Sequence, residues 1–255
     1  MNKIYACLPC YNESENIGAL IEAWIAQYDA ILDKGYELTI VGIDDHSTDD
    51  TLNILIDYSG RYPGKIRVLK HKRNLNLGGG VKNAFRFFLK ECSSGDLCVL
   101  MDGDNTHDPK YIISMIDKIS EGADCVIASR YCEKSKIVGV PAFRELLSDG
   151  AKLYYMLVLG VKNVRDYTCG YRVYQYDIIR KAADVYGKSF VEKKSFACMM
   201  EILYKLYQIG AVFDEVPFTL RYDLKQGQSK MRVLKVTKDS LITAVALRLS
   251  VKRGK

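Results

Sequence analysis

Two hydrophobic periods alternate through the first two-thirds of this chain. Short apolar runs at Ile4–Leu8, Leu38–Ile43, Ile66–Leu69, Leu97–Met101 and Asp124–Ala128 read as buried strands. Between them the apolar positions switch to helical spacing. Ile17, Leu20, Ile21, Trp24 and Ile25 share one face of a helix beginning at Ser14. Leu52, Leu55 and Ile56 share another, with Ser47 or Thr48 as the cap. Val81, Ala84, Phe85, Phe88 and Leu89 form a third stripe, after Gly78-Gly79-Gly80. Pro109 opens a fourth helix, because the first turn has no use for the missing N–H. Beyond about residue 135 the spacing is mainly helical, over Phe143–Leu159, Tyr176–Val185 and Phe196–Gln208. One late strand spans Ala211–Leu220, where Pro217 marks an edge or an end. Lys238–Lys252 is amphipathic, with Leu241, Ile242, Val245, Ala246 and Leu249 on one face. That face is expected to pack onto the domain; the alternative is an interfacial membrane helix.

Strands alternating with helices predict an α/β fold, with a mostly parallel sheet covered by helices on both faces. No linker interrupts it, so residues 1–255 are expected to form one domain. The pattern divides it into about 1–132, about 133–235 and the amphipathic helix at about 236–252. Ligands of such sheets bind at the carboxyl ends of the strands. The polar residues ending the strands, Asn12, Glu13, Asp44, Asp45, Asp102, Asp104, Ser129 and Arg130, should therefore meet along one rim. Asp102-Gly103-Asp104 is the most informative of these. Two carboxylates one residue apart suit an oxygen-ligated Mg²⁺ or Mn²⁺ held against phosphates. Taken alone, the same pair also describes an exposed turn.

Composition narrows the classes. The hydrophobic content of 48% supports a full core. No apolar run approaches the roughly 20 residues that span a bilayer, and the N-terminus does not resemble a signal peptide. A cytoplasmic protein is expected, with its eight cysteines reduced. Cys7-Leu8-Pro9-Cys10 has metal-ligand or redox spacing, but no second pair completes a zinc site. The net charge of +6 gathers at 70–73, 225–235 and 252–255 without a nucleic-acid motif. An anionic small substrate or an anionic membrane surface accounts for those patches, and no nucleic-acid partner is expected.

The strand-end residues also match a family pattern, in order, across most of the chain. Pro9-Cys10-Tyr11-Asn12-Glu13 resembles P-x-Y-N-E. Asp44-Asp45-His46-Ser47-Thr48-Asp49-Asp50-Thr51 resembles D-D-x-S-x-D-G-T, with Asp50 in place of glycine. Asn76 to Gly80 with Ala84 resembles N-x-G-x-G-x-A, and Asp102-Gly103-Asp104 falls on D-x-D. Ala128 to Tyr131 resembles G-S-R-Y, and Asp166 to Arg172 resembles D-x-x-S-G-F-R. Glu215-Val216-Pro217 with Arg221, Gly227, Ser229 and Lys230 resembles E-V-P…R…G-x-S-K. The chain thus resembles the family 2 glycosyltransferases of GT-A fold, and most closely the dolichyl- or polyprenyl-phosphate sugar synthases.

That resemblance implies a metal-dependent, inverting transfer from a UDP- or GDP-sugar to a polyprenyl phosphate, or to a related lipid-linked or polysaccharide acceptor. The enzyme would be cytoplasmic, with peripheral contact at the inner face of the plasma membrane. Pro9, Tyr11, Glu13, Asp44, Asp45 and Gly79 would contact the donor, while Asp102, Gly103 and Asp104 would carry the metal and diphosphate. Related synthases can add a glutamine ligand two residues after the second aspartate. Thr106 holds that position here, a weaker ligand whose place a water would take. Arg130, Arg144, Arg221 and Lys230 would hold the acceptor phosphate, since phosphate favours cationic, bidentate donors. Asp166 and Glu201 are both candidates for a general base; in this motif Asp166 also suits bracing the loop that carries Tyr167–Arg172. A nucleotidyltransferase and a non-catalytic sugar-nucleotide-binding protein are the competing readings.

Overall fold

A computed structural model of the chain describes residues 1–224, 226 and 233–252, and at 142, 144, 233–236 and 251–252 it describes the backbone alone. The predicted strands appear as β1 (Asn2–Cys10), β2 (Tyr36–Asp44), β3 (Ile66–Lys70), β4 (Leu97–Leu100) and β5 (Cys125–Ser129). Ile4 to Leu8 are buried throughout. A strand that hides every side chain has cover on both faces, which is the signature of a parallel α/β sheet. The helices that supply the cover are α1 (Ile17–Ile25), α2 (Tyr28–Asp33), α3 (Thr51–Arg61), α4 (Asn76–Glu91) and α5 (Ile112–Ser120). Cys7 and Cys98 lie inside this core, and all eight cysteines are thiols rather than disulfides.

The rest of the chain adds β6 (Lys136–Val138), α6 (Ala142–Leu159), β7 (Arg172–Gln175), α7 (Tyr176–Tyr186), α8 (Ala197–Gln208), β8 (Phe213–Pro217), β9 (Thr219–Arg221) and α9 (Val233–Lys252). The central sheet runs β3-β2-β1-β4-β7-β5-β8. Only β7 is antiparallel to its neighbours β4 and β5. This strand has no separate hydrophobic signal, because it begins inside the Asp166–Arg172 motif. Its direction matters: the loop that precedes an antiparallel strand reaches the rim at which parallel strands end. Leu100 and Ile127 both pair with Arg172, so that loop lies between the ends of β4 and β5.

Several boundaries differ from expectation for local reasons. The first helix starts at Ile17 rather than Ser14, because the Glu13 carbonyl accepts from the N–H groups of Asn16 and Ile17. Neither Ser47 nor Thr48 caps α3; Asp49 Oδ1 accepts from Thr51 N at 3.0 Å instead. The late strand divides into β8 and β9 around Phe218, and β9 pairs with β6 in a separate two-stranded sheet. The glycine triplet lies within α4 rather than before it.

Helix α9 reverses the expected orientation. Ser240, Thr243, Ala244 and Leu247 face inward against α6 and α8, whereas Ile242, Val245 and Leu249 are exposed. Small side chains let α9 approach closely, which sends the larger apolar residues outward.

Gly78 sets the fit of α4. A Cβ there would lie 1.9 Å from the Lys193 carbonyl oxygen, and Gly78 N donates to Lys194 O at 3.0 Å. Gly78→Ala must therefore push two backbone segments apart, at about 1–3 kcal/mol, lowering the melting temperature by roughly 2–10 °C. Gly60→Ala in α3, where a Cβ meets nothing within 4 Å, should leave the melting temperature unchanged or raise it slightly. Thermal denaturation of the two variants side by side checks the contrast.

Candidate active site

The strand ends converge as expected. Register places Cys10 beside Asp44 at the ends of β1 and β2, and Gly103 passes so close to β1 that a Cβ would lie 2.7 Å from Cys10 Sγ. Burial pushes the Cys10 thiol well up, and the carboxylates of Glu13, Asp44, Asp104 and Asp102 push it further. One buried sulfur therefore feels four acidic groups drawn from three loops. The protonated thiol, donating to Leu8 O at 3.1 Å, is a poor nucleophile or metal ligand.

Asp102 and Asp104 stand half-buried at the end of β4. Asp104 Oδ1 accepts from Thr106 N at 3.2 Å and from the Thr106 hydroxyl at 2.7 Å. The Thr106 hydroxyl, expected to yield its ligand position to water, is thus spent on orienting Asp104. Asp102 lies over Gly170, where a Cβ would come within 2.9 Å of its carboxylate. Hard carboxylate oxygens with a neighbour that has no side chain fit Mg²⁺ or Mn²⁺. Among the described residues no three His, Cys, Asp or Glu side chains form a metal cage, so phosphate and water would complete the shell.

The β2 end is ordered from within. Asp44 accepts from Ser47 N at 3.2 Å. Asp45 Oδ1 accepts from Leu75 N at 2.8 Å and lies 2.6 Å from His71 Nδ1, whose Nε2 meets Asn83 Nδ2 at 2.8 Å. His71 thereby ties the rim to α4, a connection that its isolated position in the sequence does not show. Pro9 packs against Gly80, Gly79 sits in the first turn of α4, and Tyr11 is exposed at the rim. Asn12 adopts a left-handed backbone, with its N–H donating to Ser47 Oγ and its side-chain oxygen accepting from Thr48 N. Glu13 accepts from Asn16 Nδ2 at 2.8 Å. Asn16 in turn grips the Gln226 backbone from both sides, at 2.9 and 3.3 Å. The segment after β1 thus holds the backbone at Gln226, the residue before Gly227.

The best-defined element is an ion pair. Arg130 donates from Nε and Nη2 to the two oxygens of Asp166, both at 2.7 Å, and Nη2 also donates to Thr168 Oγ1. Asp166 has no solvent exposure, and it further accepts from the backbone N–H groups of Arg130, Thr168 and Cys169. Burial alone would raise its pKa; the guanidinium and the N–H groups outweigh burial and hold it down at about 2. Such a carboxylate is a brace and a weak base. Glu215 completes the brace by accepting from Arg165 N and Asp166 N at 2.7 and 2.8 Å, which gives the E-V-P glutamate a physical role. Arg172 is fully buried and donates to the carbonyls of Cys169, Met199 and Tyr167.

Glu201 and Arg221 have protein partners of their own. Glu201 accepts from Glu192 N and Lys193 N and pairs with Lys205 at 2.8 Å, which commits it to holding the 192–194 segment. It is occupied as a structural acceptor and poorly suited to act as a base. Arg221 forks onto Asp223 at 2.9 and 2.8 Å, while its N–H donates to Thr106 O. This exposed pair keeps Arg221 beside the D-x-D loop, and a phosphate would have to displace Asp223. Arg144 lies in the first turn of α6 with only its backbone described, and Lys230 lies outside the described residues.

Comparison with known proteins identifies the family. Residues 5–182 match glycosyl transferase family 2. A dolichol-phosphate mannosyltransferase of Pyrococcus furiosus is 30% identical over 231 residues, covering 90% of this chain and 59% of that protein. The chain therefore spans about three-fifths of that relative's length. An undecaprenyl-phosphate mannosyltransferase of Micrococcus luteus is 28% identical over 229 residues, covering 90% of this chain and 87% of that protein. In structure, glucosyl-3-phosphoglycerate synthase of Mycobacterium tuberculosis superimposes with a TM-score of 0.68 at 17% identity, over 96% of this chain and 80% of that one, a likeness of fold. With its acidic pair, its arginine–aspartate brace and its ordered motifs, this chain belongs to glycosyl transferase family 2 and has the GT-A fold.

Proposed function

We propose that this enzyme transfers a single sugar from a nucleoside diphosphate to a polyprenyl phosphate, with inversion at C1, on the surface of a membrane. The observation that carries the reading is that Asp102 packs against Gly170, in the same loop whose Asp166 braces Arg130. The names of the sequence relatives support a polyprenyl-phosphate acceptor and make a mannosyl donor the first to assay. Residues 1 to about 132 would bind the donor and about 133–235 the acceptor, with Arg130 at the boundary serving the acceptor phosphate.

The chemistry follows from the acceptor. A phosphate oxygen is already anionic, so it attacks C1 without a strong base, which agrees with Asp166 and Glu201 both being committed elsewhere. As the new C1–O bond forms, the C1–O bond to the diphosphate breaks and the nucleoside diphosphate leaves with the electron pair. A single displacement inverts the centre. Asp102 and Asp104 would hold a divalent cation that offsets charge on the diphosphate. Arg130 is 18% exposed, and its Nη1 lies outside the bonds to Asp166 and Thr168, so it offers the acceptor phosphate a fixed donor.

Membrane contact is supported by two helices. Phe143, Leu146, Leu153 and Leu157 of α6 are 60–77% exposed, and α9 adds exposed Ile242, Val245 and Leu249. The helices are joined by Tyr154, whose hydroxyl donates to Leu241 O. An apolar surface of this extent marks an interaction site. Helix α6 also reaches the active site: the Tyr131 hydroxyl lies 2.7 Å from Ser148 Oγ, one residue along from Arg130. Among the described residues no helix is long and apolar enough to cross a membrane, so the contact proposed is peripheral.

Three outcomes test these statements. In a thermal screen of UDP- and GDP-sugars with Mn²⁺, the true donor at 100 times its Kd should add about 2.7 kcal/mol of stability; no response to any donor would contradict nucleotide binding. Asp104→Ala should fold and lose turnover in a donor-plus-acceptor assay, and near-normal activity would sink the metal assignment. Leu153→Glu with Leu157→Glu should abolish sedimentation with anionic liposomes while sparing transfer to a short, water-soluble polyprenyl phosphate. Unchanged liposome binding would remove the membrane role of α6.

A further inference from the structure

His107 lies behind the acidic pair and has no place in the chemistry above. Its ring is 6% exposed, stacked on Phe218 at 5.2 Å between centroids and edge-on to Tyr171 at 6.0 Å. Both ring nitrogens face polar atoms: Nδ1 lies 3.1 Å from Thr106 Oγ1, and Nε2 lies 3.5 Å from Cys169 Sγ.

The direction of this chain of bonds follows from its two ends. An ionised Asp104 only accepts, so the Thr106 hydroxyl proton points at Asp104 Oδ1, 2.7 Å away. Thr106 Oγ1 then has lone pairs left for His107, which places the imidazole proton on Nδ1. Nε2 becomes an acceptor for the Cys169 S–H. Burial pushes that thiol up to about 12, so the S–H is present at neutral pH. Cys169 is itself held, its N–H donating to Asp166 Oδ1 at 3.0 Å. A continuous path thus runs from the Arg130–Asp166 brace through Cys169, His107 and Thr106 to Asp104.

We propose that His107 is a positioning residue for the metal site: through Thr106 it fixes the orientation of the Asp104 carboxylate, and through Cys169 it ties that orientation to the arginine brace. This inference rests on the proposal that Asp102 and Asp104 hold a divalent cation. Outer partners that orient ligands typically change metal affinity 10- to 100-fold when removed. It also replaces a direct ligand role for Thr106 with an indirect one.

The test is Mn²⁺ uptake by the full chain, followed as loss of the free Mn²⁺ electron paramagnetic resonance signal in the presence of UDP or GDP. His107→Phe keeps the stacked ring and removes the donor; Thr106→Val keeps the shape and removes the hydroxyl. Each should weaken Mn²⁺ binding about 10- to 100-fold. The double variant should be no weaker than either single one, because both cut the same path. Thr106→Ser and His107→Asn, which restore the hydroxyl and an N–H donor near Nδ1, should stay close to wild type. A merely structural role would give additive losses and no such rescue. Should His107→Phe not fold, His107→Gln, with its amide further out, takes its place. Loss in Thr106→Val with none in the His107 variants would overturn the proposal and leave Thr106 acting on Asp104 without His107. Wild type that binds Mn²⁺ with all variants unchanged would overturn only the role of His107. Wild type that takes up no Mn²⁺ with either nucleotide would overturn the metal reading beneath it.

Discussion

A carboxylate with no access to water must be compensated inside the protein, and the arrangement of this active site depends on how Asp166 meets that requirement. An uncompensated buried charge costs several kcal/mol, so Arg130, three backbone N–H groups and the Glu215 support are mutually required. The compensation fixes the guanidinium at the end of β5 and the Asp166–Gly170 loop beside the acidic pair. It also explains why the sheet contains one antiparallel strand. The loop precedes β7, and only an antiparallel β7 delivers it to the rim where β1, β2, β4 and β5 end.

The same arrangement recurs at the end of β2. Asp45, His71 and Asn83 connect the end of β2 to α4, while Gly78 seats α4 against the 193–194 backbone. Glu201 holds that segment from the other side. Residues that look like chemistry in the sequence thus divide into two groups. Asp102, Asp104 and Arg130 present polar atoms at the rim; Asp166 holds Arg130, while Asp45, Glu201 and Arg172 tie together the surrounding segments.

Much of the framework was legible from periodicity. Five strands, their alternation with helices and the convergence of strand-end residues follow from apolar spacing, because parallel strands are buried on both faces. Legibility failed where tertiary contacts decide. Strand β7 carries no separate signal, since its first residue, Arg172, is a buried cation satisfied by three carbonyls from two segments. The inward face of α9 was misassigned because Ser240, Thr243 and Ala244 pack by closeness rather than by hydrophobicity. Helices α6 and α9 each present exposed apolar residues, and α6 reaches Tyr131, the neighbour of Arg130. In the site, the acidic pair was visible as a motif, but His71 and His107 were not, because their partners lie at Asp45 and Asn83, and at Cys169, all distant in sequence.

The central claim is that one rim brings a sugar nucleotide and a lipid phosphate together for a single displacement. The most direct measurement is the anomeric configuration of the product, read by NMR coupling at C1 after reaction of an α-linked nucleoside diphosphate sugar with polyprenyl phosphate. The account predicts a β-linked sugar phosphate lipid and one nucleoside diphosphate released per sugar transferred. An α-linked product would contradict the single displacement, and release of pyrophosphate would contradict sugar transfer altogether.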